Sequence, residues 1–371
     1  MVSYNWQKKE WPDFLYDDIF SNDLYAYIEK SGLINGMVQA FPEDIQMETI
    51  VEIIVSEAIK TSEIEGEYIS RVDVKSSVRK NLGLYSEVSS KDKRAKGVGD
   101  LMVKVRRSFT EELTEKMLFE WHSALLGYRN DITPGKWRTL DEPMQIISGA
   151  YGKIRVHFEA PPAKKVPDEM KRFFKWFNES APGGKKEIRM APIRSAIAHL
   201  YCESIHPFED GNGRIGRAIA EKALSQGIGR PVLFSLSKAI DANIKLYYAE
   251  LEKAQQSMEI NSWIDYFIKT ILAAQSDSEA EINFTLKKVK YFEKFKNQLS
   301  ERQLLILNRM LAEGAKGFMG GMNARKYAVI CKVSKATATR DLQHLAAINA
   351  FIVSGGGRSV SYQVNLDFNQ K

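Results

Sequence analysis

Apolar positions in this chain recur at helical rather than strand spacing over most of its length. Val51, Ile54, Val55, Ala58 and Ile59 fall at i, i+3, i+4, i+7 and i+8, the stripe of an amphipathic helix, and Gly66 suits a place just past its end. Ile193, Ile197, Leu200, Tyr201 and Ser204 repeat the pattern and predict a helix ending near Ile205. Another is expected from about residue 214 to 224, and residues 118–126 read as a buried helix carrying His122. Between them, residues 145–149 and 154–158 are short β-prone runs bounded by glycine and proline, which predicts one hairpin.

The last fifth of the chain has its own pattern. Ser300 and Gln303 form a capping box ahead of Leu304, Leu305, Leu307 and Leu311. A second helix is expected over residues 323–331, Ser334 caps a third over 335–345, and strands over 351–354 and 360–364 flank a glycine turn with Arg358. Three helices and such a hairpin predict a winged helix-turn-helix. Lys335, Thr337, Thr339 and Arg340 would then face a major groove, with Arg358 on the wing near phosphate, so DNA is a candidate partner of residues 299–371.

Charge sharpens that division. Residues 300–371 hold ten Lys or Arg against four Asp or Glu, which accounts for the whole net charge of +6. At 371 residues the chain exceeds one core, so two or three domains are expected. Its 44% hydrophobic and 27% charged residues are ordinary for a soluble protein, with no membrane span and no secretory h-region. A cytoplasmic location is the expectation. Cys202 and Cys331 give neither a disulfide framework nor metal spacing.

Chemistry concentrates at His206-Pro207-Phe208-Glu209-Asp210-Gly211-Asn212-Gly213-Arg214-Ile215-Gly216-Arg217. His206 stands at a helix exit, where an imidazole can serve as a base near neutral pH. Gly211 and Gly213 around Asn212 suit a turn that bares backbone N–H groups to an anion, and the following helix points its positive end at the same spot. Arg214 and Arg217 share one face of that helix. Cations in a first helical turn oppose the dipole, a conflict that a bound polyphosphate removes.

This segment resembles the Fic family signature H-P-F-x-D/E-G-N-G-R-x-G-R at every defined position. The resemblance implies a mainly α, Fic-type helical bundle with a β-hairpin flap, here followed by the winged helix-turn-helix. It implies transfer of AMP from ATP to a Ser, Thr or Tyr hydroxyl of a target protein or of the chain itself. His206 would be the base and Asp210 the Mg²⁺ ligand, with Glu209 in the variable position facing solvent. Asn212 and the N–H groups of Gly211 and Gly213 would meet the α- and β-phosphates, Arg214 the β-phosphate and Arg217 the γ-phosphate. Phe208, Ile215 and Gly216 complete the ATP-binding stretch.

A second motif lies upstream. Glu65 in a last helical turn is disfavoured by about 0.3–1 kcal/mol unless a cation answers it. Thr61-x-x-x-Glu65-Gly66 resembles the inhibitory motif S/T-x-x-x-E-G/N of Fic proteins that carry their own inhibitor. In those the glutamate pairs with the second signature arginine, here Arg217. By the same resemblance Val156, His157 and Phe158 belong to a flap that holds the target, and Tyr247, Tyr248 and Gln255 fall where adenine and ribose contacts are usual. Gln255 departs from the common Asn. Pro134 to Arg138 resembles a structural segment ahead of the flap, and Tyr4, Trp6, Trp11 and Phe14 resemble the small region before some bacterial Fic domains.

The resulting division is residues 1–48, an aromatic-rich region; 49–110, the inhibitory and connecting helices; 111–272, the catalytic core; 273–298, a linker helix; and 299–371, the winged helix-turn-helix. A homodimer is implied, since helical family members commonly pair. Two rivals remain. Doc-like phosphotransfer is disfavoured by Gly213, where those kinases carry a bulky Lys. A nucleotide-sensing DNA-binding regulator with little turnover is the alternative from another class.

Overall fold

Caps set where the helices begin. The side chains of Ser70, Thr114, Ser235, Asn243, Asn323 and Ser334 each accept a backbone N–H from the first turn that follows them. The computed structural model describes residues 3–17, 21–86, 89–148, 155–314 and 317–368. It divides into two compact units, Met1–Ser276 and Asp277–Lys371.

The first unit is helical apart from one hairpin. In order it holds α1 (Ser21–Gln39), α2 (Glu43–Ile64), α3 (Arg71–Asn81), α4 (Lys93–Arg107), α5 (Glu115–Leu126), β1 (Gln145–Ser148), β2 (Arg155–Glu159), α6 (Val166–Glu179), α7 (Ala191–Ile205), α8 (Asn212–Ile228), α9 (Leu236–Asp241), α10 (Ile244–Ala254) and the start of α11 (Asn261–Phe295). Every residue of α7 is buried, so this helix is the core on all sides and its polar residues need internal partners. Arg194 finds them at Ser180 Oγ, Phe177 O, Ala223 O and Gln226 Oε1. The expected helix over 214–224 starts earlier, at Asn212, and runs on until Gly229 ends it at φ +71°.

α2 is fixed along its length. Its Glu57 is buried and accepts from Ser235 Oγ at 2.7 Å, Ser237 N at 2.9 Å and Ser237 Oγ, while Lys60 pairs with Asp241 at 2.8 Å. β1 and β2 pair antiparallel with an irregularity between Ile146 and Ile147, and β1 is exposed throughout. The expected turn of this hairpin, residues 149–154, lies outside the described residues.

In the second unit, α12 (Glu301–Leu311), α13 (Ala324–Cys331) and α14 (Lys335–Ala347) precede β3 (Phe351–Ser354) and β4 (Ser361–Val364). Ile306, Leu307, Tyr327, Leu342, Leu345 and Phe351 form its core. The Ser300–Gln303 capping box forms as spaced. The polar stretch 274–279 does not interrupt α11, because it contains neither Gly nor Pro and its Ala, Gln and Glu sustain a helix. Among the described residues no helix is long and apolar enough to cross a membrane.

Candidate active site

α7 ends at Ile205 and His206 follows in the left-handed region, φ 52° and ψ 62°, donating its N–H to Cys202 O at 2.9 Å. A non-glycine residue holds this conformation only when its surroundings impose it. Here three elements do so. Arg138 Nε donates to His206 O at 2.8 Å, and its Nη2 donates to Ile205 O and Pro161 O. Asn5 Nδ2 donates to Ser204 Oγ at 2.8 Å, and Gln255 Nε2 donates to Glu203 O at 3.2 Å.

His206 is 7% exposed, and its Nδ1 is buried without a hydrogen-bond partner, 3.9 Å from Glu203 Oε2. Burial, and next the Arg138 charge, lower its pKa to about 4. The imidazole is therefore neutral at physiological pH, as a base must be. Glu203 is pushed the other way, to about 8, by burial and then by the Glu65 charge.

The loop after His206 closes on itself. Asn212 Oδ1 accepts from Phe208 N and its Nδ2 donates to Phe208 O, both at 2.8 Å. Its side chain thus shapes the loop, with one of its two Nδ2–H donors engaged by Phe208 O. The Gly211 N–H is also engaged, by Asp210 Oδ1 at 2.5 Å. Phe208 and Ile215, expected among the ATP-binding residues, are wholly buried and act in packing. Phe208 stacks on His122 at 4.0 Å. That histidine is satisfied, accepting from Gly135 N at 2.8 Å and donating Nε2–H to Asp210 O at 3.0 Å, so it also braces the loop. Gly216 leaves room for Glu203: a Cβ there would lie 2.3 Å from Glu203 Oε1.

Both signature arginines hold carboxylates of their own chain. Arg217 is 1% exposed and takes Glu65 Oε1 at 2.7 Å, Thr61 Oγ1 at 2.8 Å and Thr61 O at 2.9 Å. Burial opposes the Arg217 charge, and the Glu65 carboxylate more than offsets that, holding its pKa above the ordinary value. Glu65 follows directly on α2, and Gly66 comes next at φ +76°. Arg214 is 2% exposed and takes Glu67 Oε2 at 2.7 Å. The Asp210 carboxylate, 39% exposed, pairs with Arg129, which also holds Asp131. Sequence reasoning missed Glu67, Arg129 and Glu203; a carboxylate two residues beyond Glu65 was the one local signal available.

The remaining expected residues separate. Tyr247 is 1% exposed with its hydroxyl on His199 Nε2 at 2.9 Å, and Gln255 is buried behind Glu203, so neither presents a face to a base or ribose. Tyr248 does, and its hydroxyl donates to Ile64 O at 3.3 Å. On the hairpin, Val156 is exposed and His157 bridges Ser148 Oγ and Glu252. Phe158 is instead buried against Tyr4 at 5.1 Å, because the hairpin base packs on the N-terminal segment. Glu209, expected in solvent, is half-buried and accepts from Thr133 N at 3.0 Å.

The matched span agrees with this geometry, since the segment carrying residues 206–217 falls inside the stretch that fits the Fic/DOC family, residues 112–224. Ahead of it, residues 4–84 match a domain of unknown function, DUF4172. The protein adenylyltransferase fic-1 of Caenorhabditis elegans is 24% identical over 160 residues, 43% of this chain and 27% of that protein. The protein adenylyltransferase Fic of Nematostella vectensis is 26% identical over 171 residues, 46% of this chain and 34% of that protein. The matches thus span 27% and 34% of these relatives' length. Among solved structures, a Fic family protein from Desulfovibrio desulfuricans aligns over 95% of this chain and 98% of its own, with a TM-score of 0.54 and 16% identity. A Fic domain containing signaling protein from Bacteroides thetaiotaomicron aligns over 72% and 97%, with a TM-score of 0.54 and 18% identity. At that identity the likeness bears on the fold alone.

Proposed function

We propose that this chain is a protein adenylyltransferase that moves AMP from ATP to a Ser, Thr or Tyr hydroxyl of a target protein or of itself, restrained by Glu65. The observation that carries the reading is the occupation of two almost fully buried guanidinium groups, Arg214 and Arg217, by carboxylates beside a neutral imidazole. A site built for anions holds anions of its own chain. The donor set fits the nucleotide and its metal. Buried Arg214 Nε has no partner, and Asp210 offers a part-exposed carboxylate to a hard cation.

With Glu65 and Glu67 turned away, Arg217 and Arg214 would hold the γ- and β-phosphates, and Asp210 would hold Mg²⁺, which neutralises phosphate charge when bound. His206 Nδ1 is turned inward, leaving Nε2 to take the proton of the attacking hydroxyl. The new bond joins that oxygen to the α-phosphorus, the bond from the α-phosphorus to the bridging oxygen breaks, and pyrophosphate leaves with the electron pair. Exposed β1 can pair with an extended target segment through main-chain hydrogen bonds.

The test is intact mass after incubation with Mg-ATP. Glu65→Gly protein should gain one or more AMP groups, the parent far fewer, and the Glu65→Gly, His206→Ala double variant none. An unchanged Glu65→Gly mass, together with no labelled protein in a lysate supplied with radiolabelled ATP, would reject the reading.

A DNA-binding role for the second unit is favoured by one observation: Lys335, Ala336 and Arg340 are exposed on α14 just after its Ser334 cap. The full chain should then be retained on duplex DNA at low salt and released on raising it, and Lys335→Ala with Arg340→Ala should lose retention.

A further inference from the structure

Glu67 is not part of the inhibitory motif, yet it makes as short a contact as Glu65 does. Its Oε2 lies 2.7 Å from Arg214 Nη1, and Arg214 is 2% exposed. The rest of that guanidinium is poorly answered: Nη2 stands 3.7 Å from Asp210 Oδ1, and Nε has no partner among the described residues. Glu67 is thus the nearest counter-charge of this buried cation, with Asp210 an ångström farther off.

We propose that Glu67 is a specificity-determining residue, occupying the Arg214 end of the anion site so that the closed enzyme turns away nucleoside diphosphates as well as triphosphates. The proposal rests on the reading above, in which Arg214 takes the β-phosphate and Arg217 the γ-phosphate. If Glu65 alone closed the site, a diphosphate would lose nothing, because it has no group for Arg217. With Glu67 on Arg214, the terminal phosphate of a diphosphate must displace a carboxylate. A monophosphate reaches neither arginine.

The two carboxylates are separable. Glu65 and Glu67 flank Gly66 beyond the end of α2, and their side chains are 29% and 24% exposed, so each can turn to water without moving the helix. α2 itself is anchored by buried Glu57 and by Thr61. Neither Glu→Gln change empties a buried site.

Calorimetric titration of the full chain with Mg-ADP reads this without turnover, since ADP carries no pyrophosphate to expel. Glu67→Gln should tighten Mg-ADP about tenfold or more, the scale of one charged hydrogen bond. Glu65→Gln should leave Mg-ADP unchanged and tighten Mg-ATP, and neither change should move AMP. Arg214→Lys in the Glu67→Gln background should return Mg-ADP toward the parent value, with a thermal melt to establish that it folds. If Glu67→Gln leaves Mg-ADP unchanged while Arg214→Lys weakens it, Glu67 is no competitor and the proposal falls with the reading intact. If the Glu65→Gln, Glu67→Gln double variant binds neither ADP nor ATP, the phosphate assignment itself falls.

Discussion

Gly213 and Glu65 share one space: a Cβ at 213 would lie 2.2 Å from Glu65 Oε1 and 3.1 Å from Arg217 Nη1. Gly213 is therefore what leaves room for the Glu65 carboxylate beside Arg217. Gly213 lies in the first turn of α8, where its backbone conformation is open to any residue. Gly213→Ala should expel Glu65 and tighten Mg-ATP by calorimetry, with the helix gaining up to about 1 kcal/mol of propensity. Weaker ATP binding than the parent would mean that the nucleotide, not the glutamate, needs the space.

The amide of Asn212 is a structural brace. Asn212→Ala leaves the N–H and carbonyl of buried Phe208 without their 2.8 Å partners. Unfolding in urea should show a loss of about 1–3 kcal/mol, the cost of unsatisfied buried groups. A loss confined to nucleotide affinity, with stability unchanged, would contradict this role.

Arg129 stands on the carboxylate assigned to the metal. Arg129→Gln should free Asp210 and tighten Mn²⁺ binding about threefold to tenfold, read by electron paramagnetic resonance in the presence of ADP. Asp210→Asn should abolish that gain. Equal Mn²⁺ affinity in parent and Arg129→Gln would show that the guanidinium does not compete.

Glu203 gives a pH signature. Its pKa rises from the ordinary 4.5 to about 8 by burial and then by the Glu65 charge. A carboxyl raised on folding contributes stability that is whole below its unfolded value and is lost as pH climbs through its folded one. Between about pH 5 and pH 8 the parent should therefore lose stability that Glu203→Gln, which does not titrate, keeps. Thermal melts across that window should show the gap moving steadily in favour of Gln. A gap that does not vary with pH refutes the assignment.

The chemistry was legible where it is local. His206 at a helix exit, the glycine turn and the Thr61, Glu65, Gly66 spacing all follow from a few adjacent residues whose helix preferences conflict with their charges. The contacts that complete the site are not local. Arg129 with Asp210, Glu67 with Arg214, and Arg138 with the carbonyls of 205 and 206 join residues that each look ordinary in their own segment. Tyr247 and Gln255 illustrate the same limit: the spacing that would place them around a base also serves a core, and both are buried. The polar run 274–279 coincides with the boundary between the two units, yet it holds neither Gly nor Pro and the helix continues through it.

On the adenylyltransferase reading proposed above, the anchoring of α2 at Glu57, Lys60 and Thr61 would set the scale of activation. No helix has to depart and no core has to open; one turn of side chains has to change places with water. An event that small would be fast and reversible, so the parent protein would sample its competent form continually, and its idle output would equal the released rate multiplied by the fraction of time both carboxylates are away. A signal that shifts that fraction would tune output smoothly, in the manner of a dimmer.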